Sequence, residues 1–347
     1  MRTLRFGIVG YGWAAGAHIK SFEAIEGCEV VAVCSRREIP REQFVARHGK
    51  AFRLYRDYDS LLADSDIDVV SICTEHPLHV EQTEKACAAG KHVVLEKPMA
   101  LDWEGCLRVE RAARESGVKV LVCFEVRAIG SFVTYKKMLA EGVIGKVHYA
   151  EVDYYHGIGP WYRQYEWNVK KAFGGSSLMT AGCHAMDGLL WLVGEEPVEV
   201  MSYATQSAHP AFRAYEYPTT SSTLVKFRNG AVGKVASSID CIQPYLFNVH
   251  LLGAEGAIWN DKFHTDRYGG LRKTGWSTLN VQLVDSGDVE HHPYIPLFED
   301  LVGAIREGRE LQLVSLESAI LTHKACLAAD LSAARGAPVS LKEFSSG

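Results

Sequence analysis

The sequence predicts an α/β chain of two domains, a doubly wound parallel sheet followed by an α/β domain with a mostly antiparallel open sheet. Three observations support this prediction. Short β-branched runs alternate with helical stretches over the first third of the chain, longer strands of alternating polarity follow, and 347 residues suffice for two cores. We place the first domain at residues 1–125 and the second at residues 126–347.

The strands of the first domain are short runs that are apolar on both faces. This pattern is typical of a parallel sheet that is covered by helices on both sides, and helical segments lie between the runs. The predicted strands are Phe6–Val9, Val30–Cys34, Val69–Cys73, His92–Leu95 and Val118–Cys123.

The second domain begins where the runs become longer and alternate between apolar and polar residues. Asn229-Gly230 lies between two of these runs and predicts a two-residue hairpin turn. A helical segment at 178–192 can cover one face of the sheet, which leaves the other face for solvent or a second subunit. The predicted strands are Lys146–Tyr155, Val198–Gln206, Ser222–Arg228, Ala231–Ser238 and Phe247–Leu252.

Composition excludes several classes of partner. The net charge is -5 and charges of both signs are interspersed, so we expect no nucleic-acid partner. No apolar run approaches the roughly 18 residues of a membrane span, and the chain begins with a strand, so we expect a cytoplasmic protein without membrane contact. The nine cysteines form no C-x-x-C pair, so we expect reduced thiols and no metal site.

The turn after the first predicted strand has the G-x-G-x-x-A form of the dinucleotide fingerprint, GYGWAA at residues 10–15. Gly10 permits the tight turn, Gly12 lets the backbone approach a pyrophosphate, and Ala15 allows close helix packing. With Trp13 they are the candidate residues for the phosphates, which the N-terminus of the following helix attracts. A glycine-rich turn that binds nothing is the alternative.

The end of the second predicted strand bears on the choice of cofactor. An NAD site usually has an Asp or Glu there, whereas this chain has Ser35, Arg36 and Arg37. A hydroxyl and a guanidinium suit a 2′-phosphate, so we expect NADP, with Ser35 and Arg36 as its ligands. Glu38 lies close enough in sequence to keep NAD as the alternative.

Two further segments resemble one known family. Residues 74–79 read TEHPLH and residues 89–98 read AGKHVVLEKP. They are similar to the T-P-x-x-x-H and G-K-H-V-x-x-E-K-P patterns of the Gfo/Idh/MocA family, which is named for glucose-fructose oxidoreductase, inositol dehydrogenase and a rhizopine catabolism protein. The resemblance extends over nearly the whole chain. It implies a Rossmann domain, a second domain whose open sheet mediates dimers or tetramers, and hydride transfer on sugars or polyols.

The resemblance also implies roles for individual residues. Thr74, His79, Glu96 and Lys97 become candidates for cofactor contact, Lys97 also for catalysis and substrate binding, and the bond from Lys97 to Pro98 is expected to be cis. Independently of the family, Lys97 follows an apolar strand at its carboxyl end, the edge of a doubly wound sheet where ligands bind. A surface lysine in a turn is the alternative.

His184 and Asp187 are three residues apart, so they share one face of a helix. The pair resembles the second catalytic motif of the family, which implies that His184 takes a hydroxyl proton while Lys97 stabilises charge on the same oxygen. Inositol dehydrogenase-like members have an Asp four residues before the histidine, where this chain has Thr180. Asp187 either supplies that carboxylate or orients His184, and a buried core histidine is the alternative for His184.

The stretch between residues 154 and 167 is unusually aromatic. Flat rings with polar tips stack on sugar faces, and a basic side chain there can hold a hydroxyl or a carboxylate. Packing of this stretch within the fold is the alternative. Besides Lys97, Thr180 and His184, the candidate substrate residues are Arg127, His156, Trp161, Arg163 and Trp167.

From these observations we expect an NAD(P)-dependent dehydrogenase or reductase acting on a sugar or polyol. Lys97 and His184 would be its acid/base pair, and it would form a homodimer or homotetramer. An NAD-dependent glycosidase with a retained cofactor is one alternative, recognisable by turnover without net cofactor reduction. A non-catalytic NAD(P)-binding sensor is another, against which the presence of both Lys97 and His184 argues.

Overall fold

The computed structural model describes residues 2–271, 273–284, 288 and 291–345. The chain forms two units, one of residues 1–125 and 288–320 and the other of residues 126–287 and 321–347. Residues 288–320 group with the first unit, whereas the sequence-based division into 1–125 and 126–347 places them in the second domain.

The first unit has a parallel sheet whose strands are β1 (Leu4–Val9), β2 (Cys28–Cys34), β3 (Arg53–Tyr55), β4 (Val69–Ile72), β5 (His92–Leu95) and β6 (Val120–Val122). Their order is β3-β2-β1-β4-β5-β6, and every neighbouring pair is parallel. The strand order changes direction between β1 and β4, where such sheets bind ligands at the carboxyl ends of their strands. The predicted doubly wound sheet is confirmed.

The helices between these strands begin and end with residues suited to those positions. Asp102 accepts the Gly105 N–H at 2.7 Å at the start of the longest of them, and Gly117 ends it in a left-handed conformation. The helices are α1 (Trp13–Glu23), α2 (Arg41–His48), α3 (Tyr58–Leu62), α4 (His79–Ala88) and α5 (Trp103–Ser116).

The sheet of the second unit consists of β7 (Val147–Tyr155), β8 (Pro197–Thr205), β9 (Thr220–Phe227), β10 (Val232–Ser238), β11 (Leu246–Gly253), β12 (Gly256–Trp259), β13 (Lys262–Thr265), β14 (Ser277–Thr278) and β15 (Val339–Ser340). Its order is β14-β13-β12-β11-β7-β10-β9-β8-β15. The pair β7 and β10 is parallel, and the other pairs are antiparallel. The predicted mostly antiparallel sheet is confirmed.

The hairpin between β9 and β10 differs in one detail from the two-residue turn that we predicted. Phe227 donates its N–H to the Ala231 carbonyl at 3.0 Å, so three residues, 228–230, form the loop. Gly230 has a φ of 88°, whereas Asn229 does not adopt a positive φ. A two-residue type I′ turn needs a positive φ at both central residues, which explains the longer loop.

One face of this sheet is covered and the other is open. Alternate residues of β9 are buried, and α9 packs against β7 and β10 on that side. The opposite face exposes Tyr203, Leu224 and Trp259, which are 68%, 50% and 40% exposed. The helices of this unit up to residue 193 are α6 (Gly130–Ala140), α7 (Tyr165–Asn168), α8 (Lys171–Gly174) and α9 (Cys183–Val193).

Two helices lie between β14 and β15 in the chain, α10 (Tyr294–Glu307) and α11 (Leu316–Arg335). The Phe298 ring of α10 stacks on Phe22 of α1 at 4.2 Å between centroids, and Phe22 stacks on Phe6 of β1 at 4.1 Å. This aromatic packing explains why residues 288–320 belong to the first unit. Among the described residues, no helix combines the length and apolar character needed to cross a bilayer.

Candidate functional site

The fingerprint loop joins β1 to α1, and its two glycines serve different purposes. Gly10 has a φ of 84°, and a Cβ there would lie 2.7 Å from the Cys73 carbonyl oxygen, so the backbone itself requires glycine. A Cβ on Gly12 would meet none of the described atoms within 4 Å. Gly12 caps α1 without a side-chain hydrogen bond, Trp13 is half-buried and Ala15 is buried. The open start of α1 suits the pyrophosphate of a dinucleotide.

The two arginines after β2 are both exposed but differ in their contacts. The buried Ser35 hydroxyl accepts the Arg37 N–H at 3.2 Å, and the Arg37 guanidinium donates to the Tyr11 carbonyl. The Arg36 side chain is 83% exposed, with its guanidinium 4.0 Å from the Glu75 carboxylate. An exposed pair at this distance contributes little, so Arg36 can turn to a 2′-phosphate.

Thr74 and His79 lie at the end of β4 and the start of α4. His79 is fully buried, with Nδ1 2.7 Å from the Pro98 carbonyl oxygen and Nε2 3.1 Å from that of Thr74. Burial lowers the pKa of His79, although both carbonyls favour its charged form. A neutral ring donates once, and the shorter contact places that proton on Nδ1. His79 thereby donates to the backbone after β5 while its other nitrogen lies near the Thr74 carbonyl after β4, and the Thr74 hydroxyl donates to Gln82 at 2.6 Å.

Lys97 is half-buried just after β5, and its bond to Pro98 is cis, as the resemblance implies. The Glu96 carboxylate holds this loop with both oxygens. Its Oε2 accepts the Lys97 backbone N–H at 3.2 Å, while Oε1 lies 3.0 Å from the Tyr294 hydroxyl and 2.9 Å from His18 Nε2. Glu96 is thus an internal brace for the loop that carries Lys97.

His18 lies on the inner face of α1 and is a residue that the sequence analysis missed. Its Nδ1 is 2.7 Å from the Ser71 hydroxyl and 3.5 Å from the Cys73 sulfur. Burial disfavours the charged imidazole, but the sulfurs of Cys73 and Cys123 and the Glu96 carboxylate raise the pKa of His18 well above its ordinary value. The available signal was its place three residues after Ala15, on the apolar face of a predicted helix.

The pKa of Glu96 is lowered to about 2 against the effect of burial, which raises it. The hydrogen bond and charge of His18 have the largest lowering effect, followed by the charge of Lys97 and the Tyr294 hydroxyl. His18, Glu96 and Cys123 each place a potential ligand atom within 4.8 Å of the others, a spacing that could also hold a metal ion. The 2.9 Å hydrogen bond between the first two accounts for this geometry without a metal ion.

In the second unit, a π-helical turn, Leu178–Gly182, leads directly into α9. His184, in the first turn of α9, is 3% exposed, and its ring centroid lies 6.3 Å from that of Tyr154. The Thr180 hydroxyl, in the π turn, donates to Asn168 Oδ1 at 2.6 Å. Turns of this kind occur frequently at functional sites, which agrees with the placement of the predicted base just after it.

Asp187 is fully buried in α9 and is held by two partners. The Arg127 guanidinium binds it bidentately, Nε to Oδ2 at 2.8 Å and Nη2 to Oδ1 at 2.6 Å, and Thr322 donates to Oδ1 at 2.9 Å. Arg127 is itself 5% exposed. The two residues that we predicted for catalysis and substrate contact therefore bind each other.

The predicted aromatic stretch divides into a cluster near His184 and a more exposed part. The Tyr154 hydroxyl lies 2.9 Å from His156 Nδ1, and the His156 ring contacts those of Tyr162 and Tyr245 at 5.2 and 5.0 Å. Of the remaining candidates, Trp161 is 62% exposed, Arg163 is exposed and Trp167 is half-buried.

Two family models match this chain. One, described as "Oxidoreductase family, NAD-binding Rossmann fold", matches residues 4–124. The other, described as "GFO/IDH/MocA C-terminal domain", matches residues 132–259. Both agree with the resemblance that the sequence motifs indicate.

Individual relatives share about 30% sequence identity with parts of this chain. An uncharacterized oxidoreductase of Synechocystis sp. is 30% identical over 55% of this chain and 52% of its own length. The scyllo-inositol 2-dehydrogenase (NADP(+)) of Bacillus subtilis is 29% identical over 55% and 52%. The chain thus matches about half the length of these relatives.

A solved structure extends the likeness to nearly the whole chain. The scyllo-inositol dehydrogenase from Lactobacillus casei with bound cofactor NAD(H) and scyllo-inositol is 19% identical and has a TM-score of 0.80, over 98% of this chain and 100% of the other. This likeness shows a common fold. The matches of the two family models, over residues 4–124 and 132–259, show that the chain belongs to the Gfo/Idh/MocA family of oxidoreductases.

Proposed function

We propose that this protein is an NADP-dependent dehydrogenase or reductase that interconverts a secondary alcohol and a ketone on a polyol or sugar, with an inositol as the first candidate. The observation that supports this most is the arrangement in the first unit, where an open Gly12 begins α1 and Glu96 braces Lys97 after β5. Gly12 and Lys97 both lie just after the carboxyl end of a parallel strand, β1 and β5 respectively. The names of the inositol dehydrogenase relatives support the substrate class.

The cofactor assignment follows from the residues at the ends of β1 and β2. The loop at residues 10–15 would hold the pyrophosphate through the N–H groups of α1, and Arg36 with Ser35 would bind the 2′-phosphate. When bound, the nicotinamide accepts or supplies the hydride. Thr74 and His79 would shape the same crevice through their backbone contacts.

Lys97, in the first unit, and His184, in the second, are proposed to act on one substrate as an acid/base pair. His184 would accept the proton of the substrate hydroxyl during oxidation, and the Lys97 ammonium would stabilise charge on that oxygen. Asp187 and Arg127 are proposed to act as positioning residues, because their buried ion pair fixes the helix that carries His184. Thr180 and the cluster around His156 are proposed to bind substrate hydroxyls and ring faces.

The open face of the large sheet is our proposal for the subunit contact of a homodimer or homotetramer. Its exposed Tyr203, Leu224 and Trp259 share one face. We expect Leu224→Lys to lower the molar mass measured by light scattering towards that of the monomer. An unchanged mass would place the contact elsewhere, and a monomeric parent protein would contradict the oligomer.

The function is tested by measuring NADP and NAD binding by calorimetry and then following absorbance at 340 nm with inositols and sugars. We expect tighter binding of NADP and a polyol-dependent signal that Lys97→Ala and His184→Ala each reduce by roughly 10²–10⁴-fold. Lys50→Ala is the control, since Lys50 is a half-buried lysine of the same unit that pairs with Glu23. Failure of both cofactors to bind would overturn the proposal. Glycoside cleavage without net cofactor reduction would replace it with the glycosidase alternative.

A further inference from the structure

We propose that His18 is a positioning residue for Lys97, acting through an ion pair with Glu96 that joins α1 to the loop after β5. The inference rests on the proposed role of Lys97 in catalysis. It concerns a histidine that the motifs of the sequence leave without a role.

The contacts form a continuous chain from β4 to Lys97. Ser71 lies 2.7 Å from His18 Nδ1, His18 Nε2 lies 2.9 Å from Glu96 Oε1, and Glu96 Oε2 accepts the Lys97 N–H at 3.2 Å. The two carboxylate oxygens have separate tasks, because one binds His18 and the other binds the backbone of Lys97. Fixing Oε1 therefore fixes the plane of the carboxylate and the direction of Oε2.

His18 also links this loop to the proposed cofactor site. It lies on α1, five positions after the Trp13 that begins this helix. The same helix would hold the pyrophosphate at its N-terminus. Because α1 is one continuous helix from Trp13 to Glu23, the His18 to Glu96 contact would couple bound phosphates to the loop that carries Lys97.

The ion pair also sets the charge around Lys97. A charged His18 and an ionised Glu96 cancel, so Lys97 faces a pair without net charge. His292 lies nearby with its Nδ1 3.2 Å from Glu125, and burial lowers the pKa of His292 to about 4, so its ring is neutral at neutral pH. The titratable or charged groups that act on or lie near the pair are those of Cys73, Cys123, Lys97, Tyr294 and His292, and Glu125 in turn acts on Tyr294.

The test compares pH–rate profiles of hydride transfer. His18→Gln keeps a donor but removes the charge, which leaves an anion beside Lys97. We expect the alkaline limb of the profile to move up by about one pH unit, because no cation then balances the Glu96 carboxylate. The double variant His18→Gln/Glu96→Gln removes both charges and should return the limb to the wild-type position.

Tyr294→Phe is the matched control, because it removes a neutral hydrogen bond to the same Glu96 oxygen and no charge. The alkaline limb of the pH–rate profile of Tyr294→Phe should stay at the wild-type pH even if the rate of this variant falls. A merely structural role for His18 would lower rates without moving the limb, so superimposable profiles of His18→Gln and the parent protein would overturn the inference.

A second measurement needs no variant. The ¹⁵N shifts of the His18 ring, assigned by through-bond correlation, should report an imidazolium at pH 7, and a neutral ring would overturn the ion pair. The outcomes also separate this inference from the proposed function. If Lys97→Ala retains full activity, the proposed function fails. If Lys97→Ala loses activity but the pH–rate profile of His18→Gln matches that of the parent protein, only the role of His18 is overturned.

Discussion

Each unit supports one proposed reacting residue with a buried ion pair, and the two pairs differ in their chemistry. Behind Lys97, Glu96 binds an imidazole through one oxygen, whereas near His184 a guanidinium grips both oxygens of Asp187. An imidazole can lose its proton in the working pH range, and a guanidinium cannot. The first pair therefore depends on a proton of His18, whereas the second consists of two parallel hydrogen bonds from one guanidinium to Asp187.

The largest expected effect comes from breaking the ion pair between Arg127 and Asp187. Arg127→Met leaves Asp187 buried without its cationic partner, which should lower the free energy of unfolding by about 3–5 kcal/mol. Urea denaturation measures this loss. The double variant Arg127→Met/Asp187→Leu removes both charges and should recover most of it, since buried pairs can be replaced by apolar residues. A single variant as stable as the parent protein would contradict the bracing role.

The acid stability of the first pair gives the next largest effect. The pKa of Glu96 is lowered to about 2, so its contribution is present above the ordinary pKa of a glutamate and is lost as pH falls towards 2. The pKa of His18 is raised, so its contribution is present at low pH and is lost as pH rises through that raised value. Between pH 5 and 2, Glu96→Gln should lose up to about 3 kcal/mol less stability than the parent protein. Equal losses in urea titrations would show that Glu96 does not titrate in this way.

The two glycines of the fingerprint allow a structural role to be compared with a binding role within the first unit. Gly10→Ala places a Cβ 2.7 Å from the Cys73 carbonyl oxygen at a positive φ and should destabilise the fold by about 1–3 kcal/mol. Gly12→Ala enters open space, so the melting temperature should stay unchanged while cofactor affinity falls. If Gly12→Ala bound NADP as tightly as the parent protein, the proposed pyrophosphate contact would be wrong.

The smallest expected effect concerns the exposed Arg36. Arg36→Ala should weaken NADP binding about tenfold, which corresponds to about 1.4 kcal/mol, and leave NAD binding nearly unchanged. Calorimetric titration with both cofactors measures the ratio, and Arg41→Ala serves as the control because Arg41 is an exposed arginine of the same unit. An equal loss for both cofactors would remove the basis for the NADP preference.

The local patterns predicted much of the fold. Apolar runs and the fingerprint located five of the six strands of the parallel sheet, all except the three-residue β3, and the turn at residues 10–15, because these follow from neighbours in sequence. Local patterns could not predict that residues 288–320 pack with the first unit, since the stacking of Phe298 on Phe22 joins positions far apart in the chain. Asn229-Gly230 located a hairpin but not its loop length, which depends on the φ of each residue.

The same limit applies to the candidate site. The motifs named Lys97 and His184, but they could not tell that Arg127 and Asp187, 60 positions apart, would pair with each other. His18 was missed because its role depends on a hydrogen bond to Glu96, which lies 78 positions away in the sequence. Sequence spacing predicts contacts along one element, whereas these buried pairs depend on how the elements pack.

The fate of a carbon-bound hydrogen tests the central claim most directly. The protein is incubated with oxidised NADP and inositols deuterated on their ring carbons, and the cofactor is analysed by mass spectrometry. The account predicts that deuterium appears on the nicotinamide with the parent protein and not with Lys97→Ala. Cofactor that binds but acquires no deuterium from any sugar or polyol tested would contradict it.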